Sequence, residues 1–325
     1  MRAAIYRRYG PPSVIQIVDV DKPDIKATQM LVKVRATTVT AGDSRLRSAR
    51  VPRGFAVLMR LGFGILGPRK PILGWELAGE VVAVGQSVSR FALGDTVFAA
   101  RMGSHAEYVA VPEDVAAPMP RNLRFEDAAA LSFGGLTSLF YLRDKARIQP
   151  GERVLINGAS GAVGSAAVQL AKHFGAVVTG VCSAANAQLV TSLGADRVID
   201  YTAEDFTKDA QTYDVVLDAV GKSSFGRCRR LLAPRGIYVS SDLGFLAQNP
   251  ILAFVTPLFK QRVLFPIPPK YSRARVEGFK AMLGSGEFTP VIDRRYPLDQ
   301  IVEAYRYVET GQKIGNVVID VDIAS

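Results

Sequence analysis

Apolar and polar side chains alternate in short runs over the first third of the chain. MLVKVRATTVT (30–40) does so with several β-branched residues. ELAGEVVAVG (76–85), DTVFAA (95–100) and HAEYVAVP (105–112) follow, with Gly, Pro or Asp punctuating the runs. Strands at this spacing predict a β-rich domain, a partly open barrel or sandwich. The texture changes near Pro118–Pro120. FEDAAALSFGGLTSLFYLRDKA (125–146) reads helical at both ends, with Gly134-Gly135 as its break. Short apolar strands then alternate with helices: 153–158, a helix over 162–174, 176–181, a helix over 184–193, 197–200, 213–220, a helix near 223–232, and 236–241. That alternation predicts an α/β domain with a doubly wound parallel sheet. A helix near 272–284 comes next. LDQIVEAYRYVETG (298–311) then sets Ile301, Ala304, Tyr305 and Val308 on one helical face, and a last strand covers 315–323. The predicted organisation is a nucleotide domain, 119–257, inserted into a β-rich domain formed by 1–118 and 258–325.

A length of 325 residues suits two domains, and 48% hydrophobic with 22% charged residues describes a folded protein rather than a disordered one. Cys182 and Cys228 cannot supply a disulfide framework, which points to a reduced, cytoplasmic setting. MRAAIYRRYGPPSV has no apolar core, so no signal peptide is predicted. The stretches 54–67 and 249–260 are oily but too short to span a bilayer. A lid or a subunit contact is their expected use, with interfacial membrane contact open. The 40 Lys and Arg exceed the 30 Asp and Glu by ten. Without a basic run interleaved with aromatics, this reads as general surface charge, and no nucleic-acid partner is expected.

The turn GASGAVG (158–164) closes one predicted strand and opens a helix whose stripe is Val163, Ala167, Leu170, Ala171 and Phe174. This is the setting of a dinucleotide fingerprint, with Ala159 in place of its first glycine and Gly161 and Gly164 as the others. Gly161 would admit phosphate close to the backbone, and Ser160 adds a hydroxyl. An NAD site carries an acid at the end of the next strand. Here that strand runs into Cys182-Ser183-Ala184-Ala185-Asn186 with no acid before Asp196. Ser183 and Asn186 can donate to a 2′-phosphate, so NADPH is the expected cofactor.

Five separate stretches, 74–99, 134–142, 158–172, 193–201 and 315–321, resemble the medium-chain dehydrogenase/reductase superfamily, and within it the zinc-free quinone oxidoreductase branch. The resemblance implies a GroES-like catalytic domain, a Rossmann domain, a cofactor between them, and a homodimer. It places Thr137 near the nicotinamide and Ser160, Gly161, Ala162 and Val163 at the pyrophosphate. Ser183, Asn186 and Tyr201 fall at the 2′-phosphate, and Val220, Ser240 and Phe265 to Ile267 on the nicotinamide side. Asn316 stands where relatives often carry a base. Zinc-dependent members have Cys at the position of Ala41 or Gly42 and His at that of Trp75. No metal is therefore expected, because no tetrahedral site forms without those ligands.

The expected reaction is hydride transfer from NADPH to a quinone or an α,β-unsaturated carbonyl. Thr40 is the candidate for positioning a carbonyl, and Asp43 is expected to order its loop, through Arg45 or Arg47, more than to act as an acid. His105 is a weaker candidate proton donor. The alternatives are a zinc-free alcohol or aldehyde reductase, or a nucleotide-binding protein with a structural, RNA- or membrane-associated role.

Overall fold

The computed structural model describes residues 1–50, 56–240, 242–244, 248–265, 279 and 288–321, the side chains of 56–59 excepted. Ile267 and the helix expected near 272–284 thus lie outside the described residues, Phe279 aside. The chain forms two compact units, Met1–Phe133 with Lys270–Ser325, and Gly134–Pro269.

The first unit holds strands β1 (Arg2–Tyr6), β2 (Ile15–Asp19), β3 (Gln29–Val39), β4 (Leu77–Val84), β5 (Thr96–Ala99), β6 (Tyr108–Pro112) and β7 (Ala116–Pro118). After the inserted unit, two more strands complete it, β14 (Ile292–Pro297) and β15 (Asn316–Asp320). β1 and β2 pair antiparallel, and a seven-stranded sheet runs β14-β15-β3-β4-β5-β7 with β6 paired to β3. β3 is its spine, because an 11-residue strand with alternate burial can pair with three neighbours. Its core is Met30, Val32, Val34, Leu77 and Val97, with Ile301, Ala304, Tyr305 and Val308 from the helix Ile301–Glu309. Those four helical residues are the face predicted from their spacing, and all four are buried.

The second unit holds β8 (Arg153–Asn157), β9 (Val177–Cys182), β10 (Arg197–Asp200), β11 (Tyr213–Asp218), β12 (Leu232–Ser240) and β13 (Arg262–Leu264). They pair in parallel in the order β10-β9-β8-β11-β12-β13. Renumbered from β8, that is the 3-2-1-4-5-6 order of a Rossmann sheet, whose switch point lies between β8 and β11. Helices reported below are α1 (Ala41–Ser48), α2 (Ala56–Phe63), α3 (Phe125–Ala129), α4 (Ser132–Leu139), α5 (Ala162–His173), α6 (Ala187–Ser192), α7 (Phe225–Cys228), α8 (Gln248–Val255) and α9 (Ile301–Glu309).

Two local expectations need correction. The break predicted at Gly134-Gly135 falls instead between α3 and α4, and both glycines are helical. A Cβ on Gly134 would lie 2.5 Å from the Ala162 carbonyl oxygen, so the glycine serves close helix approach rather than a break. α5 also buries more than its predicted stripe, taking in Ser165, Ala166, Val168 and Gln169.

Candidate cofactor and active site

β8 ends at the switch point, and the chain turns through Gly158 into α5. Gly158 has φ +81°, and a Cβ there would sit 2.0 Å from Val220 Cγ2. A Cβ on Gly164 would sit 2.0 Å from the Gly158 carbonyl oxygen. Gly164 therefore lets the helix close on its own turn. Gly161 differs from both. It has φ −78°, and its Cβ would meet only Gly158 O at 3.5 Å, an ordinary contact. The fold alone does not require a glycine at 161.

Gly161 is the N-cap of α5, and no side chain caps the helix. Ser165 N–H already bonds Gly161 O at 2.8 Å. Ahead of it, Ala162 and Val163 begin the helix half-buried, where backbone N–H groups and the helix dipole favour an anion. α4 packs on this end: Ser138 Oγ donates to Val163 O at 2.8 Å, and Thr137 on the same helix is buried.

β9 leads to the second group of predicted residues. Asn186 Nδ2 donates to Ser160 Oγ at 3.3 Å and to Ser183 Oγ at 3.2 Å, so one amide gathers both serines. Tyr201 is exposed, and its N–H bonds Cys182 O at 3.1 Å, which fixes it beside the end of β9. One acid was missed. Asp200 pairs in register with Cys182 across β9 and β10, its carboxylate bonded to Thr202 N at 2.9 Å and Thr202 Oγ1 at 2.7 Å. Those bonds, with one from Ala184 N–H, hold Asp200 below the usual carboxylate range.

At the end of β11, buried Asp218 accepts from Asn157 Nδ2 at 2.9 Å, Gly221 N at 3.0 Å, Ser223 N at 2.9 Å and Tyr238 OH at 3.2 Å. It thereby moulds the loop carrying Val220. Nothing in the local sequence marks it, because Asn157 lies 61 residues away. Ser240 is buried at the end of β12 and accepts from Asp242 N at 3.2 Å, and Phe265 is half-buried just after β13.

In the first unit the predicted residues engage one another. Thr40 caps α1 in a reciprocal capping box with Asp43. Thr40 Oγ1 donates to Asp43 Oδ2 at 2.6 Å, Thr40 N–H donates to the same oxygen at 2.9 Å, and Asp43 N–H donates to Thr40 Oγ1 at 3.1 Å. Gly74 N–H takes Asp43 Oδ1 at 2.9 Å. Asp43 is fully buried and orders its loop through Thr40 and Gly74. Arg47, also buried, points to Glu309 and the Gly10 carbonyl and lies over the Tyr305 ring. Asn316 N–H and Nδ2 both donate to Val291 O, at 2.8 and 3.1 Å.

A buried carboxylate that sequence reasoning passed over lies beside this group. Glu76 accepts from Thr38 Oγ1 and from Phe133 N–H, and burial pushes its pKa up to about 7. Thr37 Oγ1 donates to the Glu76 carbonyl at 2.7 Å. His105 Nε2 lies 2.9 Å from Thr38 O, so it carries the ring proton and Nδ1 accepts from Tyr305 OH at 3.4 Å. Burial lowers the His105 pKa and keeps the ring neutral. Both ring nitrogens are engaged within the unit. Burial also lowers Lys313, to about 8, against the pull of Asp293 and Glu76. Among the described residues, no group of three or more His, Cys, Asp or Glu converges as a metal site. No described helix is long and apolar enough to cross a membrane.

A Rossmann sheet with an open phosphate turn, interrupting a β-rich unit, defines a two-domain dinucleotide-dependent dehydrogenase or reductase. Residues 26–121 match the alcohol dehydrogenase GroES-like domain, and 193–319 match the zinc-binding dehydrogenase family. The chain is 33% identical to 2-methylene-furan-3-one reductase of Solanum lycopersicum, over 98% of this chain and 79% of that one. It is 30% identical to the chloroplastic NADPH-dependent alkenal/one oxidoreductase of Arabidopsis thaliana, with the same coverage of each. Among solved structures, Escherichia coli quinone oxidoreductase complexed with NADPH superposes with a TM-score of 0.84 at 26% identity, covering 99% of this chain and all of that one. The chain belongs to the zinc-free quinone oxidoreductase branch of the medium-chain dehydrogenase/reductase superfamily.

Proposed function

We propose that the protein is a zinc-independent, NADPH-dependent oxidoreductase that reduces quinones or α,β-unsaturated carbonyl compounds. The observation that carries the reading is the N-terminus of α5, uncapped at Gly161 and flanked by the Asn186–Ser160–Ser183 cluster. The residues fit a phosphorylated dinucleotide: backbone N–H groups at 162 and 163 for the pyrophosphate, and Ser183, Asn186 and Tyr201 for the 2′-phosphate. The names of the tomato, Arabidopsis and E. coli relatives point the same way on cofactor and substrate class. When bound, the nicotinamide supplies the hydride.

The remaining assignments follow the resemblance. It assigns Thr137, Val220, Ser240 and Phe265 to the nicotinamide side, and Asn316 stands where relatives often carry a basic residue. Thr40 and Asp43 take a positioning role. Thr40 gives its hydroxyl proton to Asp43, which leaves none for a substrate oxygen, so the pair shapes the end of β3. A homodimer in the cytoplasm completes the proposal, and light scattering of the purified protein checks the dimer.

The test is steady-state turnover of NADPH and NADH against a panel of quinones, enones and saturated aldehydes. The expected outcome is NADPH oxidation with quinones or enones and little with aldehydes. Absence of turnover across the panel, with no thermal stabilisation by either nucleotide, would defeat the reading.

A further inference from the structure

The positive charge of this chain is not evenly distributed. Residues 44–75 hold seven Lys and Arg, residues 243–276 hold five, and neither stretch contains Asp or Glu. Outside them the chain has 28 basic and 30 acidic residues, a net charge of −2. The whole basic excess therefore resides in two acid-free stretches. These are also the stretches that contain the two oiliest runs, 54–67 and 249–260.

In the second unit that run forms α8 and the short turn Thr256–Leu258. Its inner side is packed against the rest of the unit. Leu252 and Ala253 pack on the Rossmann core, and Asn249 Nδ2 donates to Asp242 O at 2.8 Å. Thr256 Oγ1 donates to Leu252 O at 2.6 Å and accepts Val263 N–H at 2.8 Å. Yet the outer side is apolar too: Ile251, Phe254, Leu258 and Phe259 are exposed, Phe254 and Leu258 each to 87%. A helix apolar all round belongs in an apolar setting, which solvent is not. Exposed Lys260 and Arg262 follow directly. The acid Asp242 lies before the start of α8, its carboxylate accepting from Gly244 N–H at 3.3 Å. The first unit repeats the make-up independently. Leu61 and Phe63 at the end of α2, and Ile65 and Leu66 after it, are exposed, with exposed Arg60, Arg69 and Lys70 nearby in sequence.

We infer that the outer face of α8 and its following turn is a docking surface for an anionic lipid bilayer. Phe254, Leu258 and Phe259 enter the headgroup boundary, and Lys260 and Arg262 meet the lipid phosphates. Exposed apolar residues followed by bases, in a stretch without acids, have the composition of an interfacial anchor, and neither part suffices alone. Charge argues against a second copy in this place, since a two-fold contact would set like-charged rims together.

Co-sedimentation of the full chain with vesicles of phosphatidylcholine, with and without phosphatidylglycerol, tests the inference. Wild-type protein is expected to pellet with the anionic vesicles and to stay in solution with the neutral ones. Phe254→Asp and Leu258→Asp should abolish pelleting. Lys260→Glu should weaken it by about fivefold or more, and high salt should weaken it similarly. Because these side chains are exposed, the variants should keep the wild-type melting temperature and NADPH oxidation rate. If Phe254→Asp fails to fold, the Lys260→Glu series and salt dependence still decide. Three results would overturn the inference. One is equal pelleting on both vesicle types, and another is pelleting that survives Phe254→Asp. The third is no pelleting of wild-type protein with the anionic vesicles, whether or not it instead forms a dimer that Phe254→Asp dissociates or retains RNA that Lys260→Glu removes.

Discussion

Two strands end in turns that open helices, β3 into α1 and β8 into α5, and the two turns treat the same problem in opposite ways. Every helix begins with backbone N–H groups that lack partners within the helix. At α1 the chain supplies the partners itself: Thr40 and Asp43 cap each other, and Asp43 reaches across to Gly74. At α5 no side chain does so: Gly161 N–H bonds Gly158 O at 3.1 Å, and half-buried Ala162 and Val163 follow without a cap. The first arrangement is complete without a ligand. The second leaves room for an anion. Polar residues near a reaction centre are therefore not all reagents, and the difference lies in whether their hydrogen bonds are already made.

The largest effect should come from Gly164→Val. It drives a side chain into the Gly158 carbonyl, and about 4 kcal/mol or more of stability should be lost in denaturant unfolding. Glu76 comes next. Its folded pKa of about 7 lies above the ordinary value, so the folded state holds the extra proton. Its contribution to stability is full below the ordinary carboxylate pKa and is lost as pH rises through about 7, by an order of 3 kcal/mol. The melting temperature of wild type should therefore fall relative to Glu76→Gln between pH 5 and 8. Lys313 has the opposite sign. Its pKa is lowered to about 8, so its contribution grows as pH rises above that value.

Asp43→Ala should cost about 2–3 kcal/mol by removing the acceptor for Thr40 and Gly74, while NADPH affinity stays within about twofold. Retained stability with lost turnover would instead give Asp43 a chemical role. The smallest effect should be seen with Asn186→Asp. A carboxylate beside Ser160 and Ser183 should shift the NADPH-to-NADH preference toward NADH by about tenfold in kcat/KM.

The same contrast explains what the sequence revealed. The α5 turn is legible because its signals are local: an apolar strand, small residues at fixed spacing, then a helical period. The helix Ile301–Glu309 was legible for the same reason, with four periodic residues all buried. The α1 cap involves residues three apart, yet Thr40 and Asp43 have the same residue types that catalysis would use, so spacing alone could not separate the roles. Glu76 and Asp218 were invisible because their partners lie far along the chain, Thr38 and Phe133 for one and Asn157 for the other. The misplaced break at Gly134-Gly135 has a related cause. A glycine required by a neighbouring helix looks the same in sequence as one required by a turn.

Titration of wild-type and Gly161→Val protein with NADPH, read as the shift in melting temperature, tests most directly whether the open turn is the cofactor site. A Cβ fits at Gly161 in the absence of ligand, so the variant should melt within a few degrees of wild type. NADPH should then raise the melting temperature of wild type and leave the variant unmoved at the same concentration. An equal shift in both proteins would contradict the account, because the dinucleotide would then be binding without the turn that the sequence leaves open.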